Sequence, residues 1–416
     1  MARPRQAGVA CGYALCMANL VDPPFSTTPD TAALPETLRA YIAQIEDARE
    51  RGACLRVRGH GSKDFLGDPT RGELLDTRLW RGVEQYEPSE LVIRVRGGTP
   101  LSEVEALLAE RGQYLSFDPP RWAFAQSEPL GPTVGGMVAS GFSGPGRVSR
   151  GAVRDHVLGA GVLNGRGEVL RFGGSVMKNV AGFDLSRLMA GSMGTLGVIL
   201  DVTLKVMPQP VATATIRMDM VETDALAQVN QWAAQPLPLD ASAWWDDLLV
   251  LRLRGARAAV ESAVLRLCKE REGELIGQPV AEPFWQGLRD HTDEFFLRAR
   301  DAVGQAGQQG VSLWRLSVPP TTAPLGLPGE QLTEWFGAQR WVCTSAPASV
   351  VLDAAARAGG HAQAFWGPQV LPLVHEPAMS PVLRRLHQRV QSSFDPHGVF
   401  NTGRLAAFAH ANPAVT

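Results

Sequence analysis

The spacing of apolar residues predicts alternating helices and strands in the first half of the chain. Apolar side chains recur at helical intervals through residues 34–51, and the short apolar run 54–58 predicts a strand directly after that helix. The same order returns with a strand over 91–95 and an amphipathic helix over 101–111. Alternating strands and helices are typical of α/β and α+β folds.

A glycine-rich stretch, residues 131–151, interrupts this pattern. Its Gly, Ser and Thr content resembles a flexible linker, but apolar Val134, Met137 and Phe142 punctuate the run, and strands are predicted just after it over 157–163. We therefore predict an ordered loop whose backbone approaches a ligand closely. Further along the chain, the pattern predicts a helix over 184–190 and a strand over 198–207.

The composition changes after residue 210. Tight glycine motifs stop there, and residues 211–375 carry tryptophans at 232, 244, 245, 285, 314, 335, 341 and 366. This change predicts a second domain. A helix over 381–390 then leads into a final segment with the sequence DPHGVFNTGR, ending at Arg404.

Length and charge exclude several classes of function. A chain of 416 residues suits two or three domains of roughly 150 residues. A net charge of −2 gives no electrostatic basis for binding nucleic acid. The five cysteines form no CxxC pair, so we predict neither an iron–sulfur cluster nor a zinc site, and no metal site of another kind. Few, scattered cysteines indicate a reducing, cytoplasmic location.

The N-terminus leaves two interpretations open. Arg3 and Arg5 precede an apolar-leaning stretch, 7–20, that imitates a secretory signal but is broken by glycines. The alternative is that Met17 is the natural start and residues 1–16 are an upstream extension. No run approaches ~18 apolar residues, so the sequence predicts no membrane span.

Three glycine loops are the main candidates for chemistry. The first, 58–63 (RGHGSK), follows a strand, and its amides can form a concave nest for phosphate oxygens. In the second, Gly135 and Gly136 precede a helix-competent stretch, and we expect their bare amides to face an anionic diphosphate. The third, 191–197 (GSMGTLG), enters a strand. The glycine patterns of Rossmann and P-loop nucleotide sites are both absent.

Taken together, these motifs identify a family. The segments RGHGSKDFLG (58–67), KNVAGFDL (178–185), GSMGTLGVI (191–199) and DPHGVFNTGRL (395–405) resemble the flavoproteins of the p-cresol methylhydroxylase and vanillyl-alcohol oxidase type. Within that family the sequence is most similar to FAD-binding subunits of glycolate-oxidising dehydrogenases. The resemblance covers about 35–210 and 380–405.

The resemblance implies an α+β fold with a two-part FAD-binding domain and a smaller α+β cap domain on an antiparallel sheet. We predict an N-terminal extension over 1–33 and an FAD-binding domain of two α/β subdomains over 34–210. The cap is predicted over 211–378, a C-terminal segment that returns to the FAD domain over 379–405, and a disordered tail over 406–416.

The resemblance also assigns the cofactor site. It implies that FAD contacts residues in the three glycine loops and the C-terminal segment, namely Arg58, Gly59, His60, Gly61, Ser62, Pro132, Thr133, Val134, Gly135, Gly136, Ser140, Gly194, Gly197, Val198, Ile199, Asn401 and Arg404. Some relatives attach FAD covalently through a loop histidine. Aligned on the loop, that position here is Ser62 rather than His60, so we predict dissociable, non-covalent FAD.

One family feature is missing. Stand-alone 2-hydroxy-acid dehydrogenases of the superfamily carry an HxGDGNxH motif in the second domain, whereas the nearest segment here, 359–366, keeps only His361. No residue is therefore assigned as catalytic. The resemblance implies an electron-relaying FAD subunit of a glycolate dehydrogenase complex, with a larger FAD-containing flavoprotein subunit and an iron–sulfur subunit as partners. We expect it in the cytoplasm, or held peripherally at the inner membrane face by those partners.

Two alternatives remain open at this point. The chain could be a self-sufficient FAD-dependent D-2-hydroxy-acid dehydrogenase with a D-lactate-like substrate, or a flavin-binding assembly subunit without turnover. Reduction of the flavin by glycolate in the isolated chain would favour the first alternative. A bound flavin that never cycles in the assembled complex would favour the second.

Overall fold

A computed structural model of the protein describes residues 34–67, 71–122, 131–174, 184–305, 310–368 and 380–405. The predicted N-terminal extension, the tail 406–416 and the KNVAG part of the family motif lie outside these ranges. Helices and strands alternate in the described parts, and the sheets are largely antiparallel. The predicted α+β fold is confirmed.

The first subdomain pairs one helix with a two-stranded parallel sheet. Helix α1 (Glu36–Arg51) buries Leu38, Ile42 and Ile45 against β1 (Leu55–Arg58) and β2 (Glu73–Asp76). Gly52 ends α1 in the left-handed conformation at φ 63°, which glycine adopts without steric cost. The helix and β1 match the positions predicted for them within two residues.

The second subdomain is a five-stranded sheet in the order β3-β4-β8-β6-β7. Its strands are β3 (Val83–Glu87), β4 (Val92–Arg96), β6 (Val157–Leu163), β7 (Val169–Gly173) and β8 (Val198–Lys205), and the short β5 (Gln113–Tyr114) pairs with β9 (Met207–Pro208) beside it. Helices α2 (Leu101–Ala109) and α3 (Val134–Ser140) contribute to the core on this sheet. Two further short helices are α4 (Arg147–Arg150) and α5 (Val153–His156).

The cap is built on an eight-stranded antiparallel sheet. Its order is β13-β10-β12-β11-β15-β16-β14-β17. The strands are β10 (Ala212–Asp219), β11 (Leu239–Trp245), β12 (Leu248–Gly255), β13 (Glu274–Ile276), β14 (Ser312–Ser317), β15 (Glu330–Glu334), β16 (Gln339–Thr344) and β17 (His361–Trp366). The helices are α6 (Glu222–Ala233), α7 (Arg257–Arg271), α8 (Gln278–Asp290), α9 (Glu294–Gln305) and α10 (Ala348–Arg357), and α11 (Pro381–Phe394) leads back to the FAD domain.

A buried ionic network joins the cap to the FAD domain. Arg252 on β12 donates from Nε to Asp240 and from Nη2 to Asp118, both at 2.5 Å, and Arg150 donates to Asp240 at 2.7 Å. Asp118 and Arg150 belong to the FAD side, and the other two belong to the cap. Burial acts to raise the pKa of Asp118, but Arg252 and Arg254 lower it below its ordinary value overall. A cavity of about 400 Å³ lies beside this network.

One predicted element is wrong. The helix expected over 184–190 is only a 3₁₀ turn, Arg187–Met189, after which the chain turns at Gly191 with φ 84°. Asp184, the first residue of the expected helix, accepts a hydrogen bond from Ser186 Oγ and pairs with Arg187.

Candidate functional site

The three glycine loops and the C-terminal segment meet at one open cavity of about 100 Å³. Its lining includes most of the predicted cofactor residues: Arg58, Gly59, His60, Gly61, Ser62, Thr133, Gly135, Gly136, Ser140, Gly194, Gly197, Ile199, Asn401 and Arg404. These residues are up to 346 positions apart in sequence (404 minus 58). The fold therefore assembles the candidate site from distant segments.

Asn401 ties three of these segments together. Its side-chain Oδ1 accepts the backbone N–H of Val57 at 2.9 Å, and its Nδ2 donates to the carbonyl of Met193 at 2.7 Å. Its own backbone N–H donates to Leu55 O. The residue is 5% exposed and has a φ of 41°, a conformation that Asn tolerates better than most residues. Asn401 therefore positions the walls of the cavity.

The first loop offers unpaired donors. Within the described ranges, no protein acceptor is bonded to the backbone N–H groups of residues 59–63. Arg56, which also lines the cavity, has a buried Nε without a hydrogen-bond partner in the same described ranges. Buried donors normally have partners, so this wall suits an anionic ligand such as a diphosphate.

The second loop does not offer the donors that we expected. The N–H of Val134 donates to Thr99 O, that of Gly135 to Gly97 O at 2.7 Å, and that of Gly136 to the Thr133 side chain at 3.2 Å. The first turn of α3 is therefore already satisfied within the protein. The expectation of bare amides at Gly135 and Gly136 is wrong, because the neighbouring 97–99 turn supplies their acceptors.

Glycine is required in the first loop by close packing. A Cβ on Gly59 would lie 2.5 Å from Oγ1 of Thr133, the residue that caps α3. Gly61 has a φ of 73°, and a Cβ there would overlap the guanidinium of Arg58. The first and second loops thus touch at a point where no side chain fits. This close approach is the reason for the glycine pattern in RGHGSK.

The side chains of His60 and Arg404 fix the position of the first loop. His60 is 4% exposed, and its Nδ1 lies 2.9 Å from the carbonyl oxygen of Gly131. Arg404 donates to the carbonyl of Lys63 at 2.5 Å. Burial lowers the pKa of Arg404, and Asp64 acts in the opposite direction. His60 and Arg404 therefore anchor the loop to the second loop and to the C-terminal segment.

Some expected residues lie elsewhere, and some lining residues were not anticipated. Val134 and Val198 are fully or almost fully buried in the cores behind the cavity, and Pro132 does not line it. The additional lining residues are Arg56, Val57, Lys63, Asp64, Thr77, Ala139 and Met193. The alternation of side chains along β1 could have suggested Arg56, since it shares a strand face with Arg58.

The contact between the FAD domain and the cap is filled with aromatic rings. Phe65 of the first loop packs on Phe365 at 5.3 Å, and Trp122 packs on Phe142 at 4.8 Å and on His291 at 4.9 Å between ring centroids. The cleft lined by Trp122, Phe142 and His291 has only about 10 Å³ of free space, room for about one water.

Buried ionisable groups surround this cleft. Glu334 accepts hydrogen bonds from Trp341 at 2.7 Å and from Gln339 at 3.0 Å, and burial raises its pKa to about 7. Burial and the nearby Arg315 hold the pKa of His291 well below its usual value. His361, the remnant of the missing motif, begins β17 on the edge of the sheet and is exposed. It does not line either space.

The described part of the chain contains neither a candidate metal-binding cluster nor a helix that could span a membrane. No group of three or more His, Cys, Asp or Glu side chains that could hold a metal ion occurs in the described ranges. None of the described helices is both long enough and apolar enough to span a bilayer.

Comparison with known proteins agrees with this geometry. The family model of the FAD binding domain matches residues 29–173. The chain is 40% identical to the glycolate oxidase subunit GlcE of Escherichia coli strain K12, over 89% of this chain and 97% of that protein. It is 29% identical to a D-lactate dehydrogenase of Anaerostipes hadrus, over 57% of this chain and 47% of that one.

A solved structure supports the same fold. Alkyldihydroxyacetonephosphate synthase superposes with a TM-score of 0.57 at 14% identity, covering 88% of this chain and 76% of that one. The fold is that of an FAD-binding flavoprotein. The chain belongs to the p-cresol methylhydroxylase and vanillyl-alcohol oxidase family, on the branch of the glycolate oxidase subunit GlcE.

Proposed function

We propose that the chain is the electron-relaying FAD subunit of a glycolate dehydrogenase complex, with a larger FAD-containing subunit and an iron–sulfur subunit as partners. The observation that carries this proposal is the 40% identity to a glycolate oxidase subunit over 97% of that protein's length. The glycolate substrate and the oxidation to glyoxylate are proposed for the complex rather than for this chain alone.

The cofactor is proposed to lie non-covalently along the cavity. The amides of 59–63, which have no partner within the described ranges, and the cation of Arg56 would hold the diphosphate, and Gly59 lets the loop pack against Thr133 of the second loop. Asn401 and Arg404 fix the walls. The Nδ1 atom of His60 is hydrogen-bonded to the carbonyl oxygen of Gly131, which supports a role for His60 as a loop anchor rather than as a covalent attachment point. Bound FAD would supply a two-electron acceptor.

The cap supports relay more than independent turnover. Oxidation of a 2-hydroxy acid needs a base or metal at the substrate hydroxyl and room for the substrate. The cleft beside His291 and Glu334 holds about 10 Å³, and the cavity of about 400 Å³ beside the ionic network has no histidine among its described lining residues. His375 and Glu376, two ionisable residues that follow the remnant of the missing motif in sequence, lie outside the described residues. Electron relay requires only that the flavin be held at a suitable position.

An assembled complex with an FAD-free version of this chain tests the proposal. The Gly59→Val variant should assemble with both partner subunits yet lack one flavin per complex. Anaerobic glycolate should then reduce the partner flavin but not the iron–sulfur subunit, whereas the wild-type complex reduces both. Equal iron–sulfur reduction in both complexes would contradict relay and favour an assembly role. Gly304→Ala, on the open surface of α9, is the matched control.

A self-sufficient dehydrogenase is the second candidate. It is favoured by the 29% identity to a D-lactate dehydrogenase over 57% of this chain. Under this alternative, D-lactate or glycolate would bleach the flavin of the isolated chain.

We propose that the protein lies in the cytoplasm. Peripheral attachment at the inner membrane face through the partner subunits is the other location that we propose.

A further inference from the structure

Lys63 is a buried cation beside the FAD cavity. It is 8% exposed, lines the cavity, and donates from Nζ to Ser62 Oγ at 3.0 Å. Its ammonium also lies 5.6 Å from the centre of the Trp122 ring. An ammonium has three N–H donors, and one hydrogen bond with one aromatic face does not replace its hydration.

The carboxylates nearest to Lys63 are engaged by other cations. Asp64, the next residue, pairs with Arg58 at 2.6 Å. Asp290 at the end of α8 pairs with Arg289 at 2.5 Å. Within the described ranges, no carboxylate lies within 4 Å of the Lys63 ammonium.

The other charged groups around Lys63 do not neutralise it. Arg404 brings a second cation to the Lys63 carbonyl. Arg56 adds a third on the same cavity wall. His60 is bonded to Gly131, and His291, across the Trp122 ring, is kept neutral by burial. Burial lowers the pKa of Lys63 to about 7, and Asp290 opposes that shift.

We propose that Lys63 is the counter-ion of the FAD diphosphate and that FAD binding is coupled to the uptake of one proton at Lys63. This inference rests on the proposed cofactor site and on two observations: the ammonium is buried without an anionic partner in the described ranges, and it sits on a loop whose amides 59–63 are unpaired there. A diphosphate brings two negative charges, which favour the charged form of a nearby lysine. Lys63 is thus a positioning residue for the cofactor.

The sign of the pH dependence follows from linkage. Without FAD, the lysine loses its proton as the pH rises through about 7. With the diphosphate in place its pKa is higher, so binding takes up a proton at any pH between the two values. The dissociation constant of FAD should therefore rise roughly fivefold from pH 7 to 8 and further towards pH 9. At pH 8 the uptake should approach one proton per FAD.

Calorimetric titration of the full chain, freed of FAD and retitrated with it, measures this uptake. Titrations at pH 8 in two buffers of different ionisation enthalpy give the number of protons bound. We expect about one proton for the wild type, and none for Lys63→Met or for Lys63→Arg, whose guanidinium stays charged. Lys269→Met, on the exposed side of α7, should behave as the wild type. Absence of proton uptake in the wild type, or uptake that persists in Lys63→Arg, would overturn the proposal.

Two further measurements identify the group that Lys63 faces. ADP, which carries the diphosphate without the flavin ring, should show the same uptake, and riboflavin should show none. Uptake with riboflavin alone would assign the partner to the ring and overturn the diphosphate assignment. If Lys63 served only to stabilise the fold, Lys63→Met would lower the melting temperature of the FAD-free chain. We expect an unchanged or higher melting temperature, since an unpaired buried charge is removed.

Discussion

The cofactor cavity and the contact between the FAD domain and the cap are built on opposite principles. The cavity has about 100 Å³ and is walled by glycine backbone and by donors such as Arg56 Nε that have no partner in the described ranges. The contact between the domains contains a cleft of only about 10 Å³, filled by the rings of Trp122 and Phe142 from the FAD domain and of His291 from the cap. The cavity suits a polar ligand, whereas the contact is packed as a core.

This difference separates holding a cofactor from acting on a substrate. Arg56 Nε lies in a cavity wall where an anionic ligand can pair with it. The aromatic contact leaves almost no free volume, and Phe65 and Leu66, which follow the first loop, pack into this core with cap residues. The FAD domain therefore offers space for a cofactor, while the described contact with the cap offers little space for a substrate.

The largest effect is expected at the ionic network that joins the two regions. Arg252→Leu would leave Asp118 and Asp240 buried beside each other with less compensation, at a cost of about 3–5 kcal/mol in the free energy of unfolding. Urea unfolding followed by circular dichroism measures it. The control is Arg217→Leu, whose half-exposed pair with Glu274 should contribute less than about 1 kcal/mol. Equal small losses in both variants would show that the network does not hold the domains together.

The next effect is on FAD itself. Gly59→Val places a branched side chain where a Cβ already meets Thr133 at 2.5 Å, and it should weaken FAD binding at least about 100-fold, or about 2.7 kcal/mol. Fluorescence titration of FAD into the cofactor-free chain measures the change. Gly304→Ala, whose Cβ meets nothing within 4 Å, should bind FAD normally. Retained affinity in Gly59→Val would remove the first loop from the cofactor site.

Sequence patterns predicted the local elements well and the long-range contacts poorly. The strand over 157–163 and the convergence of three glycine loops follow from periodicity and from the family motifs. The hydrogen bond from the Gly135 N–H to the Gly97 carbonyl could not be predicted from the sequence, because that acceptor comes from a distant turn. The burial of Lys63 beside Trp122 could not be predicted either, since it depends on how distant segments of the chain pack together.

A moderate effect is expected in the cap cleft. Glu334 has a pKa of about 7 in the folded protein, against about 4.3 when unfolded, so its protonated form is favoured by folding. Stability should therefore fall as the pH rises from about 4.3 through 7. Glu334→Gln should remove this loss and be more stable than the wild type at pH 8 by up to about 3 kcal/mol. Thermal melts at pH 4, where the two should nearly coincide, are the control, and a less stable variant at pH 8 would contradict a neutral Glu334.

The smallest effect concerns His60. His60→Ala removes one hydrogen bond to Gly131, which contributes about 1 kcal/mol, so FAD affinity should fall less than about tenfold. Acid precipitation should release yellow FAD from the variant and the wild type alike. Flavin that stays with the wild-type pellet but leaves the variant would reveal a covalent link through His60.

The proposed function requires that this chain hold a dissociable FAD that glycolate does not reduce without the partner subunits. The most direct measurement is the absorbance spectrum of the purified full chain, first with anaerobic glycolate and then with the partner subunits added. We predict that the flavin band is unchanged by glycolate alone and bleaches when the partners are present. Bleaching of the isolated chain by glycolate would contradict this proposal and establish a self-sufficient dehydrogenase.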